Sequence, residues 1–402
     1  MNTVAVISEY NPFHLGHAYH FSEIRREFGE DTAIVAIMSG NYVQRGTPAV
    51  LGKFDRARMA VTAGASLVLE LPFPFSAASA EYFAHAGVSV ADDLGIVDYL
   101  SFGSECGILP PLMDIASKMT NPDFAQFFRA ALKTKEGKAK GYAKLLSESL
   151  SSFYADKTPD ILYLPNNILA VSYISALQKL NSSIRPHTIS RQGTDEDDAM
   201  TATFAGATHV RSLLLSGKTE EAFSHIPTDL RPIWEEAFAN GLAPMSYESM
   251  APILLAFLRM RTPCEALPAD CSGGILPLLQ KTAGEATSLD DLIRRASTKK
   301  YTYAHLRRAL LFSYFGVTPA AVKQKPLYTQ VLAMDERGRA ILAHIRKSSR
   351  ISLLTKPADL HKLSGSAREQ AALSYRADSV YALALPTPQR SDIFLSTAPY
   401  RK

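Results

Sequence analysis

Over the first hundred residues the apolar positions switch between two periods. Val4–Ile7 is a short apolar run that ends in the polar stretch Glu9-Tyr10-Asn11-Pro12. After it, His17–Phe28 sets Phe21, Ile24 and Phe28 on one side of a helix, with Glu23, Arg25, Arg26 and Glu27 mostly on the other. Thr32–Met38 is apolar at nearly every position, the pattern of a strand buried on both faces. A glycine-containing loop (39–46), a helix at Lys53–Ala63 and a strand at Leu67–Glu70 follow, the strand stopped by Pro72 and Pro74. A helix at Ala77–Val90 and a fourth strand at Val97–Phe102 complete the series. Strands that alternate with helices and are apolar on both faces predict a parallel sheet covered on both sides, an α/β, Rossmann-like domain.

From Leu109 to about Leu164 the period is helical, and the lysine-rich Lys133–Lys144 marks an exposed helical insertion. Pro165-Asn166-Asn167 opens a helix at Ile168–Leu180, a strand follows at Pro186–Ser190, and Gly193–Asp198 reads as an acidic loop. A helix at Thr208–Leu215 closes the α/β unit. Beyond residue 216 the pattern is mainly helical, broken at Pro227, Pro263, Pro268 and Gly316, with one late strand at Tyr328–Ala333. Two domains are expected, 1–215 with its insertion at about 109–164, and a mainly helical 216–402.

Composition narrows the class. Of 402 residues, 47% are hydrophobic and 20% charged, which excludes a disordered or low-complexity chain. Cys106, Cys264 and Cys271 lack paired spacing, so neither a disulfide framework nor a zinc knuckle is expected, and a cytoplasmic setting is. No stretch reaches the roughly 20 apolar residues of a membrane span, and the first residues enter a strand pattern at once rather than a signal peptide. No protein metal site and no obligate protein partner are legible. Charge is uneven. Residues 1–200 hold 17 Lys/Arg against 22 Asp/Glu, whereas 290–350 alone hold 13 against 4, a balance that suits either a polyanion surface or a solvated helix face.

The sharpest chemical signal is Asn11-Pro12-Phe13-His14-Leu15-Gly16-His17, between the first strand and the first helix. Ligands of open α/β sheets bind beyond the carboxyl ends of the strands, where a helix N-terminus offers free N–H groups to phosphate. Gly16 lets a nucleotide approach the backbone. His14 and His17 can donate hydrogen bonds to an α-phosphate as charge builds on it, which stabilises the transition state without a covalent enzyme intermediate.

This element resembles the signature of the HIGH-motif nucleotidylyltransferases. The blocks Ser8–His20, Ser39–Val50, Lys53–Ala60, Leu67–Phe73, Ser101–Glu105, Pro165–Ile174, Lys299–Leu311 and Tyr328–Leu342 are, more narrowly, similar to the bacterial tRNA(Met) cytidine acetate ligase family. The resemblance implies ATP as substrate, with Mg2+ expected alongside it, and acetate activated as acetyl-adenylate. It further implies acetyl transfer to N4 of the wobble cytidine of elongator tRNA(Met). It assigns Ile7, Ser8, Glu9, Tyr10, Asn11, Pro12, Phe13, His14, Leu15, Gly16, His17, Ala18, Tyr19 and His20 to ATP, with His14 and His17 at the reacting centre. Gly103, Asn167 and Arg191 match further ATP positions, although an Asn at a helix start can equally be a cap. Thr208 and Arg211 match a phosphate-binding turn.

The chain departs from the family pattern at Gly206, where a Ser is usual, and at Thr194-Asp195-Glu196-Asp197, which replaces a Tyr-His-Asp run. Lys53 and Arg56 fit a phosphate or RNA contact as well as a surface helix. Lys299, Lys300, Arg307 and Arg308, interleaved with Tyr301 and Tyr303, suit tRNA phosphates and an unstacked base, unless the tyrosines pack in the core. Two other classes compete: an adenylyltransferase acting on a small phosphorylated substrate, and a non-catalytic RNA-binding protein.

Overall fold

The computed structural model describes residues 1–134, 142–155, 160–191, 204–261, 267–298 and 300–402. Five strands lie parallel to one another: β1 (Thr3–Ser8), β2 (Ala33–Ser39), β5 (Leu67–Leu71), β6 (Tyr99–Ser104) and β7 (Arg185–Ser190). Helices α1 (Leu15–Phe28), α2 (Lys53–Thr62) and α3 (Ala80–Leu94) make the crossovers. The order β5-β2-β1-β6-β7 places a reversal of winding between β1 and β6, where a crevice opens at the strands' carboxyl ends.

β2 is buried along its whole length, as its unbroken apolar run requires. One core packs Val4, Val6, Ile34 and Ala36 against α1 and α2. The other packs Ala5, Ile7, Val35 and Ile37 against α3. On the second face lie the helices of the insertion, α4 (Leu109–Thr120), α5 (Pro122–Lys133) and α6 (Tyr142–Tyr154), followed by α7 (Pro165–Lys179).

Within the 39–46 loop the chain forms part of a small antiparallel hairpin, β3 (Tyr42–Val43) with β4 (Thr47–Pro48). Two-residue strands carry no period for a sequence to display. α8 (Ala207–Leu215) leads into the mainly helical remainder, whose buried Trp234, Leu254, Leu310 and Phe312 continue the first core. The late strand β8 (Tyr328–Met334) does not stay among those helices. It joins the main sheet antiparallel to β5, and β9 (Ser352–Leu354) and β10 (Tyr400–Arg401) pair with it. No helix among the described residues is long and apolar enough to cross a membrane.

Candidate active site

The crevice is a cleft of about 680 Å³ bounded by the β1–α1 loop, Gly103 on β6, the β3–β4 hairpin, the start of α7, and α8. Ile7, Ser8, Glu9, Tyr10, Asn11, His14, Gly16, His17, Tyr19 and His20 line it, together with Arg191, Thr208 and Arg211. Pro12, Phe13, Leu15 and Ala18, expected at the nucleotide, do not. Phe13 is fully buried against Tyr10, His17 and Phe21, so it braces the loop from behind.

The two histidines cap their own helix. His14 is the N-cap of α1, and its Nδ1 accepts from the Gly16 N–H at 3.0 Å. His17 Nδ1 in turn accepts from the His14 N–H at 3.2 Å. Each bond occupies the lone pair of Nδ1, which puts the proton of the neutral ring on Nε2. The rings lie side by side, centroids 3.9 Å apart. Burial, followed by Arg191, Arg211 and His225, holds His14 down at about 3. Burial, then His14, Arg191 and His20, holds His17 well below its ordinary value. Near neutrality the pair is therefore two uncharged N–H donors, suited to an oxygen whose negative charge grows during reaction. A Cβ on Gly16 would sit 2.8 Å from His14 Cε1, so only glycine permits this ring position.

Other polar groups fix the loop. Tyr10 turns the chain with a positive φ of 45°, a conformation that side chains rarely adopt and that redirects the backbone toward α1. Asn11 Oδ1 accepts from the Val50 N–H at 2.8 Å, and Arg211 donates to the Asn11 carbonyl and, at 3.0 Å, to Thr208 Oγ1. Arg191 donates to Asn166 Oδ1 at 3.1 Å, and a Cβ on Gly103 would come 3.0 Å from Arg191 Cγ.

Several expectations need correcting. Lys53 and Arg56 form neither a surface nor a ligand site, being 1% and 0% exposed. Arg56 donates to the carbonyls of Glu9, Ser39, Gly40 and Leu51, tying together the ends of β1 and β2. Lys53 Nζ sits 2.9 Å from Glu70 and 2.7 Å from Asp378.

Asn167 does not line the cleft. Its Oδ1 accepts from the Glu105 and Cys106 N–H groups, and its Nδ2 donates to the Ile161 carbonyl. Its neighbour Asn166 lines the cleft instead. Tyr301 is buried, with its hydroxyl donating to the Gly273 carbonyl, whereas Tyr303 is half exposed. Much of the basic window is neutralised within the chain: Arg294 and Arg295 pair with Asp291, Lys325 with Asp93, and Arg350 with Asp92 and Asp93.

Lys300 donates to the Tyr301 hydroxyl at 2.6 Å. Arg307 lies over the Tyr247 ring, 3.4 Å from Asp290, and Arg308 pairs with Asp270 at 2.6 Å. Of these only Arg308 reaches the cleft. Lys299 and the acidic run 194–197 lie outside the described residues. Gln44 and Arg45, at the hairpin turn, line the cleft and escaped sequence reasoning, because nothing in that loop marks it as facing the β1–α1 element.

A Rossmann-like sheet carrying paired histidines at its first β–α turn defines a nucleotidyl transferase. The family model described as HIGH Nucleotidyl Transferase matches residues 1–393, and the chain belongs to that family. Among curated relatives, the tRNA(Met) cytidine acetate ligase of Caldanaerobacter subterraneus subsp. tengcongensis is 35% identical over 364 residues, covering 89% of each chain. The protein of the same name from Acetivibrio thermocellus is 33% identical over 376 residues, covering 90% of each. The structure of Thermotoga maritima TmcAL bound with alpha-thio ATP superposes with a TM-score of 0.89 at 29% identity, covering 100% of both chains. The apo form of that protein gives 0.91 at 30% identity, covering 100% of this chain and 99% of that one.

Proposed function

We propose that this protein is a tRNA(Met) cytidine acetate ligase, which joins acetate to ATP as acetyl-adenylate and then acetylates N4 of the wobble cytidine of elongator tRNA(Met). The observation that carries the reading is the pair of neutral Nε2–H donors, His14 and His17, at the floor of a nucleotide-sized cleft. It stands beside the names of the curated relatives and the ATP analogue in the Thermotoga protein.

In the first step an acetate oxygen attacks the α-phosphorus of ATP and pyrophosphate leaves. The two imidazole N–H groups bind the equatorial oxygens as their charge rises, while Arg191, Arg211 and Thr208 hold the departing phosphates. Mg2+ would travel with the triphosphate, whose oxygens are hard ligands, and neutralise part of its charge. Gly103 lets the adenosine lie against β6, and Asn166, rather than the side chain of Asn167, meets it. In the second step the cytidine amine attacks the acetyl carbonyl carbon and AMP leaves.

We assign residues 1–215 to the nucleotide chemistry and residues 216–402 chiefly to tRNA, with Lys300, Arg307 and Arg308 as its contacts among the described residues and Lys299 added from the sequence alone. Of the described members, Arg308 alone lines the cleft. A wobble base is already unpaired, which lowers the cost of presenting it.

The test incubates the protein with labelled acetate, ATP and total bacterial tRNA. Acid-precipitable label that requires both ATP and tRNA is expected. His14→Ala abolishes adenylate formation yet still retards tRNA on a gel, and Arg307→Glu, outside the cleft wall, weakens tRNA retention while sparing the adenylate. Unlabelled RNA with active protein would refute the assignment.

A further inference from the structure

Behind the two capping histidines a chain of four side chains runs from the cleft to the surface. His20 lines the cleft, and its Nε2 lies 2.8 Å from Ser101 Oγ. That hydroxyl is 3.0 Å from His187 Nδ1, and His187 Nε2 is 2.7 Å from the Glu27 carboxylate. Ser101 is fully buried, whereas the Glu27 side chain is 54% exposed. The spacing follows from the fold. His20 and Glu27 are two turns apart on one face of α1, and Ser101 and His187 are register partners on β6 and β7.

The polarity of the chain can be assigned from its outer end. A carboxylate only accepts, so His187 Nε2 carries a proton, and the tautomer with that single ring proton presents a bare Nδ1 to the Ser101 hydroxyl. Ser101 Oγ then accepts from His20 Nε2–H. His20 Nδ1 is left as the unprotonated nitrogen of a ring in the cleft wall, and because burial, followed by His187 and Arg191, holds that ring down at about 3, a proton it takes up passes on rather than staying. Neither His20 nor His187 takes part in capping α1, and the adenylate-forming step described above uses neither.

Resting on the proposed function, we propose that His20, Ser101, His187 and Glu27 form a proton relay for acetyl transfer, with His20 as the acceptor of the proton that cytidine N4 releases. As N4 bonds to the acetyl carbon, the bond between that carbon and the phosphate oxygen breaks, and AMP leaves with the electron pair. The amine proton passes to His20 Nδ1, the Nε2 proton to Ser101 Oγ, and the hydroxyl proton to His187 Nδ1. This leaves an imidazolium against the Glu27 carboxylate, from which the proton reaches water. Of the four, only His20 lines the cleft, and the others act through it.

The experiment measures both half-reactions separately in wild type, His187→Gln and Glu27→Gln. Glutamine at 187 can still hydrogen-bond to Ser101 but cannot take up a proton. It is expected to lower kcat for acetyl transfer about 10²-fold, with KM for tRNA held and the solvent deuterium isotope effect on transfer changed. The Glu27→Gln variant, at a half-exposed position, is expected to lower kcat about tenfold. Acetyl-adenylate formation should fall far less than transfer in both. Transfer within about twofold of wild type in both variants, or a parallel fall of the two half-reactions, overturns the relay while leaving the proposed function intact. A wild-type protein that forms adenylate but never acetylates cytidine overturns the proposed function, and the relay with it.

Discussion

Replacing Lys53 by Met tests whether this cation is an internal strut rather than an anion-binding group. Its Nζ lies 2.9 Å from both oxygens of Glu70 on β5, 2.7 Å from Asp378 on the helix Gly365–Leu383, and 3.5 Å from Gln330 Oε1 on β8. Asp378 also accepts from Asn41 Nδ2 at 2.9 Å. All of these side chains are almost fully buried. Burial alone would lower the Lys53 pKa, but Asp378 and Glu70 outweigh it and hold the ammonium charged.

Without that charge two buried carboxyls face each other uncompensated, and the loss of stability should be about 3–5 kcal/mol. Burial already raises Glu70 from its ordinary 4.5 to about 7, even with Lys53 pulling it down. In the variant at least one carboxyl must hold a proton in the folded state. Each pH unit above its unfolded pKa then costs about 1.4 kcal/mol, so the penalty is larger at about pH 8 than at about pH 5. Urea titrations at the two pH values measure it. Adding Asp378→Asn to Lys53→Met should recover stability, because one of the stranded charges is gone. A loss below about 1 kcal/mol at both pH values, or a shallower salt dependence of tRNA retention in the single variant, would refute the reasoning.

Two further outcomes follow from the histidine turn. Gly16→Ala is expected to push the His14 ring off its cap, since the added Cβ would lie 2.8 Å from Cε1. Adenylate formation should then drop about 10²-fold in kcat with a modest change in melting temperature, and an unchanged rate would show that the ring position does not matter. His14 has a folded pKa of about 3 against 6.5 unfolded. The unfolded chain therefore binds more protons between those values, and the associated stability is present above about 6.5 and declines toward about 3. His14→Gln should reduce the slope of stability against pH in that window by up to about 1.4 kcal/mol per unit. Denaturation curves at several pH values would contradict this if the two slopes coincided.

The parallel sheet was legible because apolar runs such as Thr32–Met38 announce burial on both faces, and the histidine turn because its residues are adjacent in sequence. What stayed hidden depended on long-range placement. The late apolar run announces a strand at Tyr328, but nothing local says that it pairs antiparallel with β5. Lys53 and Arg56 sit on a helix rich in charge, and their partners Asp378 and Glu9 lie 325 and 47 residues away. A helix start with two adjacent asparagines does not reveal which one turns inward. Asn167 faces the Glu105 turn, and Asn166 the cleft.

The join between β5 and β8 bears on biosynthesis. A ribosome completes the histidine turn early, yet only one edge of Leu67–Leu71 then has a neighbour, β2, and the other waits until residues 328–334 emerge. For most of translation the nascent chain thus carries an apolar strand with one open edge, the kind of surface through which polypeptides aggregate. Chaperone demand during synthesis should then bear on how much protein a cell recovers.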